Sequence, residues 1–303
     1  MQSGAYLTKT PPFLLVHPHL RRRSPGRCHI GAPILPPNIN QGGHGRGMQL
    51  HSSRGSVLIG VDHASMFWDA GAAALTVAGA YALVSTFDAL THRNLIQQTL
   101  SRKLVHILSG LLFLASWPLF STSTGARYFA SIVPIINCLR LLVHGLQFAH
   151  DEALIKSVTR DGNPEELLRG PLYYVTVLIV CALVFWRDSP VGVISLAMMC
   201  GGDGIADIMG RRFGRVKIPY NEQKSWAGSI SMFVFGFLTS IGMLSYFSGL
   251  GYFELEWMGT MERVALVSLV ATVVESLPTN GMMVDDNISV PLASMLTASL
   301  CFP

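Results

Sequence analysis

From residue 70 onward, the sequence alternates between long apolar runs and short polar connections. The apolar runs cover residues 70–90, 104–120, 128–146, 172–186, 190–201, 229–250, 264–277 and 288–302. Several are shorter than the ~20 residues that cross a bilayer comfortably, so we predict about six to eight membrane-spanning helices. The predicted fold class is therefore all-α: a multi-pass transmembrane helical bundle that follows a disordered N-terminal leader.

The overall composition supports a membrane protein and excludes other classes. Charged residues make up 13% of the chain and hydrophobic residues 50%, whereas about 25% of the residues of a typical soluble protein are charged. A soluble globule of 303 residues has more surface than so few charges can cover. The same figures argue against a disordered chain, a fibrous repeat and a protein that binds nucleic acid.

The first 60 residues differ from the rest of the chain. They contain seven Lys or Arg residues, seven prolines and no acidic residue. An acid-free leader that carries arginines and hydroxylated residues is typical of an organellar transit peptide. Its proline and glycine content favours a plastid over a mitochondrial address, and a disordered cytosolic tail is the alternative. We predict two parts, a transit peptide at 1–60 and a membrane domain at 65–303.

The charges of the connections indicate how the bundle is oriented. If the eight runs alternate, one side receives the connections 91–103, 147–171, 202–228 and 278–287. These carry eleven Lys or Arg residues, against three on the opposite side. Loops rich in Lys and Arg stay on the cytoplasmic side of a membrane, which corresponds to the stroma in a plastid. We predict that these four connections share that side.

The connection that begins near residue 202 has the densest set of reactive residues. Asp203, Asp207 and Arg211 follow at intervals of four and would share one face of a helix. Two carboxylates with cationic side chains nearby suit magnesium bound to a nucleotide, since Mg²⁺ prefers oxygen ligands and substrate phosphates. Gly202 and Gly204 would let the backbone approach a phosphate. The alternative is a solvated loop in which Asp203 pairs with Arg211.

Further polar residues lie at the ends of other apolar runs. Lys103 and His106 begin the second run, and Arg140 and His144 lie inside the third, where a charge needs a partner such as Asp151, Glu152 or Glu275. Tyr173 and Tyr174 are read as an aromatic belt at the membrane surface. The chain has no G-x-x-x-x-G-K-[ST] sequence, so a kinase here would not be a P-loop enzyme.

Taken in order, these motifs resemble a known family. They are Arg102-Lys-Leu-Val-His106, Leu168-Arg-Gly-Pro-Leu-Tyr-Tyr174, Gly202-Asp-Gly-Ile-Ala-Asp207 with Gly210-Arg-Arg-Phe-Gly214, Lys224-Ser-Trp-Ala-Gly-Ser229, and Glu275-Ser-Leu-Pro278 with Asp285-Asp-Asn287. Together they are similar to the plant phytol kinase and farnesol kinase family, chloroplast polyprenol kinases related to dolichol kinase and phosphatidate cytidylyltransferase. The resemblance covers roughly residues 65 to 303.

The resemblance implies a plastid membrane enzyme that phosphorylates a prenyl alcohol with CTP, and in the case of phytol salvages it toward tocopherol. Its partners would be the alcohol, the nucleotide and the bilayer. We expect Asp203 and Asp207 to bind Mg²⁺ and Asp285, Glu275 or His106 to act as general base. The residues expected to bind the nucleotide and its phosphates are Gly202, Gly204, Arg211, Arg212, Lys224, Ser225 and Lys103.

Three alternatives remain at this point. The alcohol could be farnesol or geranylgeraniol, since the depth of an apolar pocket cannot be read from the sequence. A cytidylyltransferase would use the same site but attack the α-phosphate of CTP. A transporter would instead use Arg140 and His144 to line a path near the middle of the bilayer.

Overall fold

The computed structural model describes residues 63–149, 151–159, 162–278 and 285–302, so the predicted transit peptide lies outside the described residues. Helices dominate the described part of the chain. They are α1 (His63–His92), α2 (Gln98–Ser116), α3 (Ala126–Gly145), α4 (Glu152–Val158), α5 (Gly170–Val180), α6 (Pro190–Ala197), α7 (Gly204–Phe213), α8 (Trp226–Gly249), α9 (Trp257–Ser276) and α10 (Asp286–Cys301). A short antiparallel hairpin, β1 (Lys217–Ile218) and β2 (Asn221–Ser225), precedes α8.

Some of these helices join into longer rods. A 3₁₀ turn leads into α5 and a π-helical turn extends it, giving a rod over Pro164–Phe185. A second π-helical stretch joins α6 to α7 as the rod Pro190–Phe213. Apart from the short α4, the described residues thus form eight rods, and six of these, all except α2 and α10, are long and apolar enough to cross a membrane. The predicted all-α bundle is confirmed.

The rod Pro190–Phe213 occupies the centre of the bundle. It is packed against α2, α8, α9 and α10, and 83% of its most apolar stretch is buried, against 17% for the peripheral α1. The apolar run predicted from the sequence ends at residue 201, but the helical rod continues to Phe213. Glycines permit this burial: a Cβ on Gly202 would lie 2.9 Å from the Met232 sulfur of α8, and one on Gly204 would overlap Ile107 of α2.

One end of the bundle is closed by a buried arginine. Arg187, in the turn before α6, donates hydrogen bonds to the carbonyl oxygens of Phe120 (2.7 Å) and Ser121 (2.6 Å). Its guanidinium also lies 4.9 Å from the ring centroid of Tyr252. The backbone N–H of Ser121 in turn donates to Asp69 of α1 at 2.6 Å. These bonds tie three connections together at the end opposite the four predicted connections.

Candidate active site

A large cavity opens at the end of the bundle where the four predicted connections lie. Its volume is about 1380 Å³, more than the ~300–1,000 Å³ of an ordinary small-molecule pocket. All four connections contribute to its wall, as expected if they share one side of the membrane. The polar residues of this wall include Arg102, Lys103, His106, Arg169, Asp203, Asp207, Arg211, Lys224, Ser225, Glu275, Asp285 and Asp286.

Three carboxylates from different rods meet in this cavity. Asp203 ends the π-helical stretch before α7, Glu275 lies near the end of α9, and Asp286 begins α10. One oxygen of each lies within 4.8 Å of the others. The Nζ of Lys224 contacts Glu275 Oε1 and donates to Asp286 Oδ2 at 2.7 Å. The cluster therefore combines three acidic groups with one cation, in a form that could bind a divalent metal.

Lys224 is positioned by the hairpin. The side-chain amide of Asn221 donates to the carbonyl oxygens of Ser276 and Leu277, each at 3.1 Å, and ties the hairpin to the end of α9. Burial lowers the pKa of Lys224, but the nearby carboxylates of Glu275, Asp286 and Asp203 outweigh it and raise the pKa above its usual value. The lysine is consequently a permanent cation at neutral pH. Asn221 was not among the site residues expected from the sequence, because its bonds reach residues far along the chain.

Asp207 belongs to a second group of charges. Its carboxylate lies 3.4 Å from Lys103 Nζ and accepts a hydrogen bond from Arg211 Nε at 3.0 Å. The spacing of four residues on α7 predicted that Asp207 and Arg211 share a face, and they do. The sequence alternative, an ion pair between Asp203 and Arg211, is not formed in the described structure. Asp203 lies with Glu275 and Asp286, and Asp207 is not part of this cluster. Binding of magnesium by Asp207 therefore stays a prediction.

The remaining nucleotide-binding predictions differ in their location. Ser225 lines the cavity and caps α8 by accepting a hydrogen bond from the N–H of Gly228. Arg212 is exposed and lies over the ring of Phe213, away from the cavity wall. Gly202 and Gly204 form the helix contacts described above and also lie off that wall. Their role in binding phosphate stays a prediction, and helix packing explains why glycine is needed there.

The three candidate bases differ in how far hydrogen bonds and ion pairs already hold them. Glu275 is bound by Lys224, and Asp285 caps α10, accepting from the N–H and the side-chain amide of Asn287 at 2.9 and 2.7 Å. By contrast, the Nε2 of His106 is buried and has no hydrogen-bond partner among the described residues. Its ring lies 4.1 Å from that of Tyr174, which is buried beside the cavity and is not the aromatic-belt residue expected from the sequence.

The intramembrane charges of the third run are paired locally. Arg140 Nη2 lies 3.0 Å from Asp151 Oδ2, one of the partners expected from the sequence. The Nδ1 of His144 lies 3.1 Å from the carbonyl oxygen of Ala149. Both residues are in the last turns of α3, at the end of the bundle that carries the cavity. This position at the end of a helix does not favour a transport path near the middle of the bilayer.

Curated relatives of this chain share most of its length. A probable phytol kinase 1, chloroplastic, of Glycine max is 66% identical over 246 residues, 81% of each chain. Phytol kinase 1, chloroplastic, of Arabidopsis thaliana is 60% identical over 279 residues, 92% of this chain and 90% of the relative. The chain belongs to the plant phytol kinase family. No protein-family model and no solved structure matches it.

Membership of the phytol kinase family confirms the resemblance noted in the motifs. A probable phytol kinase, chloroplastic, of Triticum aestivum adds 63% identity over 234 residues, 77% of this chain and 78% of the relative. These relatives are named as kinases with an alcohol acceptor and as chloroplastic proteins.

Proposed function

We propose that this protein is a CTP-dependent kinase that phosphorylates phytol, or a similar prenyl alcohol, to the prenyl phosphate. The observation that carries the proposal is the cavity itself, in which Asp203, Glu275 and Asp286 meet Lys224 at one end of an apolar bundle. The printed names of the relatives support phytol as the acceptor. The product would enter phytol salvage toward tocopherol.

The carboxylate oxygens that meet in the cavity are of a kind that binds magnesium. Carboxylate oxygens are the ligands that Mg²⁺ takes in proteins, usually together with phosphates of a substrate. Asp203, Glu275 and Asp286 offer such oxygens within 4.8 Å of one another. When bound, Mg²⁺ supplies positive charge that stabilises the triphosphate during transfer. Asp207 would support the site by holding the cations Lys103 and Arg211 beside it.

The reaction then depends on positioning and charge. The hydroxyl oxygen of the alcohol attacks the γ-phosphorus of CTP, the bond from that phosphorus to the β-phosphate oxygen breaks, and CDP leaves. Lys103, Arg211 and Lys224 bind the phosphate oxygens and offset the charge that develops on them. His106 Nε2, which is buried and has no hydrogen-bond partner among the described residues, accepts the proton of the hydroxyl.

The position of a label in CTP separates this kinase from a cytidylyltransferase. With CTP labelled in the γ-phosphate, the purified protein is expected to transfer the label to the lipid, because the attack is on the γ-phosphorus. With CTP labelled in the α-phosphate, the label is expected to stay in CDP. Label from the α-phosphate in the lipid, with release of pyrophosphate, would instead identify a cytidylyltransferase.

The proposed orientation places the cavity on the stromal side of a chloroplast membrane. CTP is charged and does not cross a bilayer, so the cavity has to open to the compartment that contains it. Arg215 and Asp188 are both exposed, Arg215 in the connection after α7 and Asp188 in the turn before α6 at the other end of the bundle. These two positions therefore report the two sides of the membrane.

Cysteine labelling tests this orientation. In sealed plastid membranes with the stromal face outward, an Arg215→Cys variant is expected to react with an impermeant thiol reagent. An Asp188→Cys variant should react only after the membrane is opened by detergent. The unchanged chain gives the baseline for its own cysteines. Reaction of Asp188→Cys but not of Arg215→Cys in sealed membranes would reverse the proposed orientation.

A further inference from the structure

The cavity continues from the carboxylates into the apolar part of the bundle. One face of α1 follows it, because its lining residues recur at helical spacing from Thr76 and Val77 through Ala80 and Tyr81 to Asp88. Twelve residues separate Thr76 from Asp88, which at 1.5 Å per residue is a depth of about 18 Å. We call this extension between α1, α2, α3 and α5 the apolar arm.

Apart from Asn137 and Arg140 of α3, which also line the cavity, the other walls of the apolar arm are mostly hydrocarbon. They are formed by α2, α3 and α5 with Leu112, Phe113, Val133, Pro134, Val175 and Leu178. Near its polar end lie Ser109 and Tyr174, whose hydroxyl oxygens are 3.4 Å apart, and His106. The cavity is therefore charged at one end and mostly apolar at the other. Hydroxyl and imidazole groups lie where the apolar arm meets the charged end.

The apolar arm is also open toward the side of the bundle. Tyr81 of α1 and Ile136 of α3 line the cavity, yet they are 72% and 52% exposed. A residue that both lines a cavity and is exposed lies on its rim. At the other end of α1, Asp69 accepts hydrogen bonds from Ser121 and Ser123, just before α3 begins. The rim thus lies between the later halves of α1 and α3, on surface that would face lipid.

We propose that the apolar arm binds the isoprenoid chain of the alcohol, which enters sideways from the bilayer between Tyr81 and Ile136. This inference rests on the proposed function. An alcohol with a long hydrocarbon chain resides in the membrane, and a lateral opening admits it without passage through water. The chain would extend along α1 while its hydroxyl reaches His106 at the charged end.

Because the alcohol comes from the lipid bilayer, only certain interactions can make the apolar arm selective for chain length. A chain that leaves lipid for an apolar wall gains little hydrophobic free energy, because lipid tails are as apolar as the wall. Selectivity for chain length must then come from steric fit. Ala80 is the position to test, because it lines the apolar arm with a small side chain, whereas Ala78 is exposed and lies off the wall.

A bulky side chain at residue 80 tests the apolar arm. With phytol, the Ala80→Phe variant is expected to show a KM about tenfold higher than the unchanged protein, because the ring fills the space of the distal chain. With the shorter geraniol, KM should change little. The matched Ala78→Phe variant should behave as the unchanged protein with both alcohols. An equal effect of Ala80→Phe on both alcohols, or none on either, would overturn the proposal.

A second measurement does not require catalysis. A phytol analogue with a photoreactive group at the far end of its chain is expected to cross-link to peptides of α1 or α3 without nucleotide, and an excess of phytol should compete. Cross-links confined to α8 and α9 would overturn the placement of the chain. If cross-linking is at α1 or α3 but no alcohol is phosphorylated, the proposed kinase reaction fails and the binding site stands.

Discussion

An Asp203→Asn variant is expected to lose about a thousandfold in kcat while it still inserts and folds. Asp203 is 6% exposed, and no cation lies within ion-pairing distance of it among the described residues. Its carboxylate is therefore available for a metal ion, and loss of one stabilising group of this kind costs about a hundred- to a thousandfold. Asparagine keeps the shape, removes the charge and replaces one carboxylate oxygen with an amide group.

Stability provides the discriminating readout for Asp203→Asn. Because neutralising a buried, unpaired carboxylate removes a desolvation cost, the thermal midpoint in detergent should stay the same or rise. The purified variant should also lose the stabilisation that magnesium gives the unchanged protein. The exposed Asp188→Asn variant is the control and should retain full activity. Undiminished turnover of Asp203→Asn would remove Asp203 from the site.

A Lys224→Met variant is expected to lose both activity and stability. Lys224 is the cation that Glu275 and Asp286 share, and its removal leaves two neighbouring carboxylates without compensation. Breaking a fully buried ion pair on one side costs about 3–5 kcal/mol, and the loss here should be smaller because Lys224 and Asp286 are only partly buried. Activity should fall about a hundredfold, since the variant also lacks a cation for the phosphates. Thermal unfolding and turnover of the purified protein measure the two effects.

A double variant separates the two effects of Lys224. Lys224→Met combined with Glu275→Gln removes one of the two uncompensated charges, so the double variant should be more stable than Lys224→Met alone. It should remain inactive, because the cation that binds phosphate and one of the proposed magnesium ligands are both missing. If the double variant recovered activity, Lys224 would act only by neutralising Glu275 and would have no contact with the phosphates.

Because its pKa is raised, Lys224 contributes little to the pH dependence of the reaction rate near neutral pH. Its folded pKa lies above the value of ~10.4 in an unfolded chain. The stability it contributes is thus fully present below the unfolded value and is lost only as pH rises through the folded value. Between pH 6 and 9 the lysine stays protonated. Any change of rate in that range has to come from another group.

The sequence by itself determined the features that depend on local periodicity. Each of the eight apolar runs is a helical rod, because a run of apolar residues in a membrane satisfies its backbone hydrogen bonds only within itself. The ion pair of Asp207 with Arg211 follows from a spacing of four residues on α7. Motifs in a fixed order were sufficient to recognise the family.

Only the tertiary structure decided which carboxylates meet. Asp285 and Asp286 are adjacent in sequence, yet Asp285 turns back to cap α10 while Asp286 reaches Lys224. Asp285, and not Asp286, was among the three candidate bases expected from the sequence, because the direction of a side chain at the start of a helix depends on how the helix is rotated against its neighbours. Glu275 joins the same cluster from α9, and no local pattern relates it to Asp203.

The surroundings of Gly202 and Tyr174 were decided in the same way. Gly202 stands beside Asp203 in a motif that suggests a phosphate loop, but the stretch is helical and buried against α8. Tyr174 looks like a membrane-surface aromatic residue, but α5 turns it inward against His106. Local sequence sets which segments are helical, whereas packing between distant helices sets which face of each one reaches the cavity.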